Sequence, residues 1–184
     1  MKIRRATHKD AEGIAKVHVD SWRTTYKGII PDEFLKNLSY EKRTELWIGN
    51  ISKSDNYLLV AETSEGEIIG FADIWKRETN TVPDATDLTS IYLLEEYQGK
   101  GVGKALLKNL FLQIKEQGYQ KVFVEVLEDN KTCSFYEYYG AKLYDTVQIK
   151  IGGKILNERI YVWDNVDEVL TKLSNVKLIE EKVQ

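Results

Sequence analysis

The stretch Tyr97-Gln98-Gly99-Lys100-Gly101-Val102-Gly103-Lys104 constrains this chain more than any other. It follows a strand-like segment, Asp87 to Leu94, and opens a helical one, Gly101 to Gln117. The helical segment carries Ala105, Leu106, Leu110 and Ile114 on one face and Gly118 at its C-terminal end. Three glycines at alternate positions let the backbone approach a ligand with no side chain in the way. The helix start behind them offers free N–H groups and the positive end of the helix dipole, a combination that binds phosphate. A fold for this chain must therefore gather a strand end, a tight turn and a helix start around one anion.

Two familiar phosphate loops do not fit. In the nucleotide-triphosphate loop G-x-x-x-x-G-K-[ST], counting back from Gly103-Lys104 puts Gln98 at the first glycine. Ala105 takes the place of the hydroxyl that would hold magnesium. In the dinucleotide fingerprint G-x-G-x-x-G, the third glycine falls on Lys104 or Leu106.

The surrounding pattern alternates strands and helices. Met1 to Ala6 reads as a strand. Thr7 and Asp10 form a capping box that opens a helix with Ile14, Ala15, His18 and Trp22 on its apolar stripe. A second helix is expected from Asp32 to Trp47. Tyr57–Glu62 and Ile68–Trp75 form a hairpin across Ser64-Glu65-Gly66. Lys121–Leu127 is a strand, and Thr132–Tyr139 is a short helix closed by Gly140. Lys142–Ile151 and Lys154–Trp163 are strands joined at Gly152-Gly153. Val166 to Val183 is an amphipathic helix whose stripe is Val166, Val169, Leu170, Leu173 and Val176. The order implies an α+β fold with a central sheet of about seven strands flanked by helices. With 184 residues and 42% hydrophobic content there is one core. A net charge of −3 argues against a nucleic-acid surface. The single cysteine, Cys133, precludes an internal disulfide and fits a reducing compartment. It has no histidine partner in its neighbourhood and reads as a packing residue. No run approaches the roughly 20 apolar residues of a membrane span. A cytoplasmic protein is expected, with no membrane or nucleic-acid partner and no metal.

The pattern that does fit the turn is [QR]-x-x-G-x-[GA], as Gln98, Gly101 and Gly103. Together with Thr89-Ser90-Ile91-Tyr92-Leu93-Leu94 before it, and the order of the early helix and hairpin, it makes the chain resemble the GNAT superfamily of N-acetyltransferases. The resemblance covers about Met1 to Trp163. It implies acetyl-coenzyme A as co-substrate and a mixed, mostly antiparallel sheet that splays between its fourth and fifth strands. Gln98, Gly99, Lys100, Gly101, Val102, Gly103 and Lys104 would grip the pyrophosphate. The backbone of Tyr92, Leu93 and Leu94 would pair with the pantetheine arm, which satisfies groups the splay leaves open. Asn130-Lys131-Thr132-Cys133-Ser134-Phe135-Tyr136-Glu137-Tyr138-Tyr139-Gly140-Ala141 resembles the family's second motif. It implies that Asn130 contacts the coenzyme and Tyr136 stands near the thiol. Asn130 is also placed to cap the following helix, and Tyr136 to pack in the core.

The implied chemistry is direct attack of an amine on a thioester. An ammonium must lose a proton, and the departing thiolate should gain one. Tyr136 is the candidate acid. Asp87 and Glu125 are candidate bases, with Asp73 a third. Trp22 and Tyr26, four apart, share a helix face and form a candidate wall for the acceptor. The acceptor, a small molecule or a peptide amine, stays open. A non-catalytic acyl-CoA sensor of the same fold is the alternative. Residues 1–164 are expected as the acetyltransferase domain and 165–184 as a helical appendage, in a monomer or homodimer.

Overall fold

Seven strands form one sheet in the computed structural model of the chain, which describes residues 1–175. They are β1 (Lys2–Arg5), β2 (Tyr57–Glu62), β3 (Ile68–Ile74), β4 (Ala85–Leu93), β5 (Lys121–Leu127), β6 (Lys142–Ile151) and β7 (Lys154–Trp163). Their spatial order is β1-β2-β3-β4-β5-β7-β6. Every neighbouring pair is antiparallel except β4 and β5. That pair is parallel because a helix, α4 (Val102–Glu116), carries the chain back between them. The helices α1 (Ala11–Thr25), α2 (Asp32–Lys36) and α3 (Tyr40–Ile51) lie toward one face. With α4 on the other lie α5 (Thr132–Tyr138) and α6 (Val166–Ser174).

Local chemistry sets the helix ends. The Thr7–Asp10 capping box is formed, with the Thr7 N–H and hydroxyl donating to Asp10 Oδ2 at 2.7 and 3.0 Å. It opens one 3₁₀ turn, and α1 proper begins at Ala11. The expected helix from Asp32 to Trp47 is two helices. Ser39 adopts extended backbone and its hydroxyl accepts from the Lys42 N–H, so a new helix starts there. At the hairpin tip Gly152 and Gly153 both have positive φ, +57° and +84°, as a two-residue turn matched to strand twist requires. The tip packs on Phe34 and Pro31.

Two irregularities shape the centre. Leu88 pairs with Ile74 but Ser90 pairs with Asp73, so Thr89 is an extra residue in β4, a bulge. The Thr89 hydroxyl bonds Asp73 at its carboxylate (2.8 Å) and its carbonyl (3.2 Å). Pairing of β4 with β5 stops immediately before it, at Leu88 and Val124. Beyond that point the two strands part.

Helix α6 is integrated into the core. Val166, Val169 and Leu173 are buried in the same cluster as Leu106, Leu110 and Trp163, worth on the order of 1.5–3 kcal/mol each. Asn165 caps α6 by accepting from the N–H groups of Asp167 and Glu168. The expected continuation to Val183, including Val176, lies outside the described residues.

Candidate active site

The bulge decides which side chains reach which face. Below it, Leu88 and Val124 are register partners facing α4, as is Trp163, whose ring meets Phe111 at 5.3 Å. Asp87 therefore faces the side of α1. An extra residue resets the alternation, so Ser90 and Tyr92 also face α1, while Leu93 points toward α4, beside Gly103. Tyr92 stacks on His18 (5.7 Å, 9° between planes) and meets Trp22 and Phe71.

On the side of α4, a groove of about 660 Å³ runs from the glycine turn to α5. Gln98, Gly99, Gly101, Gly103 and Lys104 line it, with Ile91, Tyr92 and Leu93 along its floor and Phe135 and Tyr139 opposite. Gly101, at φ +82°, is the residue from which α4 springs, and its carbonyl accepts from the Ala105 N–H. The N–H groups of Val102, Gly103 and Lys104 have no partner within the helix. A Cβ at Gly99 or Gly101 would meet nothing within 4 Å. The space is therefore open for a ligand, and the residues present fit a pyrophosphate.

The sequence-derived coenzyme set is refined in four places. Val102 is buried with its side chain in the core, so only its N–H can serve the groove. Lys100 lies over the Tyr97 ring at 5.5 Å and does not line the groove. The Leu94 N–H donates to Ile69 O at 3.0 Å. Backbone groups alternate in direction along a strand, so Tyr92 and Leu94 bond toward β3, while Ile91 and Leu93 aim into the gap. The backbone assignment to Tyr92 and Leu94 is thus corrected, and Ile91 joins Leu93. Asn130, finally, is buried with its amide engaged. Its Oδ1 accepts from the Thr132 N–H at 2.9 Å and its Nδ2 donates to the Tyr26 hydroxyl at 3.3 Å. It braces α5 against α1, and its neighbours Asp129, Lys131 and Thr132 line the groove in its place.

Phe135 and Tyr139 of the α5 segment line the groove, while Tyr136, on α5, is buried and packed on Trp163 (5.5 Å) and Tyr161 (6.5 Å). Its hydroxyl lies close enough to Tyr92 and Tyr26 for their charges to be felt. Burial first, then Tyr92 and Cys133, hold its pKa well above the usual phenol value. Tyr26 is buried and edge-on to Trp22 at 4.9 Å. Trp22 Nε1 is close enough to favour ionised Tyr92, yet it is buried without an aligned acceptor. The predicted wall residues therefore meet Tyr92 and Tyr136 in one aromatic and hydroxyl cluster.

The candidate bases part company. Asp87 is 3% exposed and its Oδ2 accepts from the Arg77 N–H (2.9 Å) and Asn80 Nδ2 (3.1 Å). Its Oδ2 is thereby engaged in holding the β3–β4 connection. Asp73 is also 3% exposed, bonded by Thr89, with its pKa raised by burial. Glu125 is exposed on the side of α1, and its Oε1 lies 3.1 Å from Arg77 Nη1. Glu158, paired with Leu127 on β7, shares that face; burial and then Glu125 raise its pKa.

Several contributors were not evident from the sequence. His18 accepts from Trp47 Nε1 at 3.0 Å through Nδ1, which leaves the ring proton on Nε2. Burial, reinforced by the charge of Arg43, pushes its pKa down to about 3. The β6–β7 hairpin brings Ile149, Ile151 and Leu156 against Tyr26, Leu35 and Leu127. Lys154 Nζ donates to Ile29 O at 2.9 Å, fastening the hairpin to the α1–α2 connection. Among the described residues, no group of three or more His, Cys, Asp or Glu could hold a metal ion, and no helix is long and apolar enough to cross a membrane.

A strand pair opened by a bulge, with a glycine turn at the mouth of the gap, is the arrangement of an acetyltransferase. The chain belongs to the acetyltransferase (GNAT) family, whose model matches residues 18–141. It is an N-acetyltransferase, and acetyl-coenzyme A is its acyl donor. Over 172 residues it is 35% identical to the uncharacterized N-acetyltransferase YuaI of Bacillus subtilis, covering 94% of this chain and 98% of that one. Over 151 residues it is 28% identical to a spermidine N(1)-acetyltransferase of Thermoplasma acidophilum, covering 79% of this chain and 91% of the relative. A crystal structure of the PaiA N-acetyltransferase of Thermoplasma acidophilum in complex with coenzyme A matches with a TM-score of 0.69. There the identity is 28%, over 85% of this chain and 96% of that one.

Proposed function

We propose that this chain transfers the acetyl group directly to the primary amine of a small cationic molecule. The observation that carries this reading is the two-sided gap between β4 and β5. One side opens on the glycine turn; on the α1 face of the same sheet lie Asp73, Asp87, Glu125 and Glu158, drawn from four neighbouring strands. A carboxylate-rich acceptor face favours a cation. The 28% identity to a spermidine acetyltransferase across 91% of its length points the same way.

Acetyl-CoA supplies a thioester whose carbonyl carbon the amine attacks. The Leu93 N–H, aimed into the gap, donates to the carbonyl oxygen as charge develops there. Glu125 takes the ammonium proton through a water, since it is the acidic side chain on this face that stays accessible. Tyr136 holds its proton until the thioester breaks, because burial disfavours the phenolate, then gives it to the departing thiolate and is reprotonated from solvent. Trp22 and Tyr26 hold the amine against the gap, with Ile149 and Ile151 closing the far side.

The test is release of free thiol from acetyl-CoA with n-butylamine, 1,4-diaminobutane, spermidine, an α-amino acid and a short peptide as acceptors. Small cationic amines should be turned over best, and Glu125→Gln should lower turnover by roughly 10²-fold or more. Preference for the peptide, or thiol release indifferent to every amine, would sink the reading.

A further inference from the structure

The connection between β3 and β4 is built with more care than a loop that only joins two strands requires. Asn80 N–H closes on Arg77 O at 2.9 Å, Val82 N–H on Asn80 Oδ1 at 3.1 Å, and Lys76 Nζ on Val82 O at 2.8 Å. Buried Asp87 ties the loop down through the Arg77 N–H and Asn80. The result is that one side chain, Arg77, is delivered across the sheet. Its Nη1 lies 3.1 Å from Glu125 Oε1 and 3.8 Å from Asp87 Oδ1. Its charge also reaches Asp73 and Glu158. Nη1 is nonetheless buried with no aligned hydrogen-bond acceptor. The guanidinium is held in the field of the carboxylates rather than locked to one of them.

We propose that Arg77 determines acceptor specificity by acting as an internal cation: it occupies one of the two positive-charge positions that the Glu125–Glu158 face would otherwise offer a diamine. An arginine is charged at every accessible pH. It therefore permanently offsets part of the acidic face and lowers the advantage of a second ammonium on the acceptor. The inference rests on the acceptor reading above.

The experiment compares n-butylamine with 1,4-diaminobutane, acceptors of equal chain length that differ by one ammonium. KM and kcat are read by thiol release for wild type, Arg77→Gln and Arg77→Lys, and diamine binding to the CoA-saturated protein is read by calorimetry. In Arg77→Gln the KM ratio of diamine to monoamine should fall about five- to tenfold, as expected for an unscreened charge at a partly buried site. The KM for acetyl-CoA should not move, and Arg77→Lys should behave as wild type. An unchanged ratio in Arg77→Gln overturns the role of Arg77. So does an Arg77→Lys variant as altered as Arg77→Gln, since the loss is then one of shape. A wild type that turns over neither amine and binds no diamine overturns the acceptor reading, and the role of Arg77 with it.

Discussion

Gly99, Gly101 and Leu93 build the coenzyme groove from backbone, within one short stretch of chain. The proposed acceptor side is built from side chains that distant elements deliver: Arg77 from the β3–β4 connection, Glu125 from β5, Tyr92 from β4 and Ile149 from the hairpin. A backbone site tolerates most side-chain changes and fails when backbone conformation is denied. A side-chain site fails one residue at a time and can be retuned. The two halves of one gap should therefore respond to mutation in different ways.

The largest effect should come from Tyr136→Phe, which removes one hydroxyl and leaves the ring. Turnover should fall by roughly 10²–10⁴-fold while KM for acetyl-CoA stays near wild type; steady-state thiol release measures both. Unchanged turnover would take Tyr136 out of the chemistry and leave it a core aromatic. Next is Gly101→Val, the backbone counterpart. A β-branched residue at φ +82° is strained and puts methyl groups at the phosphate position. CoA affinity by calorimetry should drop by roughly 100-fold, on the order of that strain plus lost phosphate contacts. Binding equal to wild type would move the coenzyme elsewhere.

A third prediction concerns the wall between the halves. His18 titrates near 6.5 when unfolded and at about 3 when folded. The unfolded chain therefore gains a proton first, and stability present above pH 6.5 is lost as pH falls toward 3. Asp10, held down at about 2 chiefly by hydrogen bonds from Arg4, adds a loss only below 3.8. Asp73 and Glu158, with raised pKa values, act in the opposite sense. The difference between wild type and His18→Phe isolates the histidine. Between pH 6.5 and 4.5 the wild-type melting temperature should fall several °C more than that of the variant. Parallel curves would mean His18 is protonated in the folded state. The smallest effect should be Lys104→Ala. Its ammonium is exposed and 3.4 Å from Asn175 O, so CoA affinity should weaken only about two- to fivefold. A loss as large as that of Gly101→Val would show the groove to depend on side chains after all.

The same contrast explains what could be read from the chain alone. The turn, α4 and the two hairpins declare themselves locally, through glycine positions and apolar spacing. The split between α2 and α3 has a local signal as well, Ser39, which caps the second helix. The Thr89 bulge has no such signal, because it exists only as a mismatch between β3 and β4. With it went the direction of the Tyr92 and Leu94 backbone. Asp87 looked like a free carboxylate because Arg77 and Asn80 are brought to it by the fold. Asn130 was legible as both contact and cap, and its side chain bonds the Thr132 N–H at the start of α5 and the Tyr26 hydroxyl.

The bulge also gives β4 something like a reading frame. Its lower half is in phase with β5 and its upper half is one residue out of phase. Delete a residue between Leu88 and Tyr92, and the strand returns to even pleating. Tyr92 would still lie opposite Phe71 and face α1, because only the extra residue is lost; what disappears is the irregularity next to which pairing with β5 stops. Substitutions here alter one contact each, but a change of length removes the irregularity at which β4 and β5 part. Insertions and deletions in a protein built this way belong in the connections, such as the exposed hairpin tip Ser64 to Glu67, where they shift no phase.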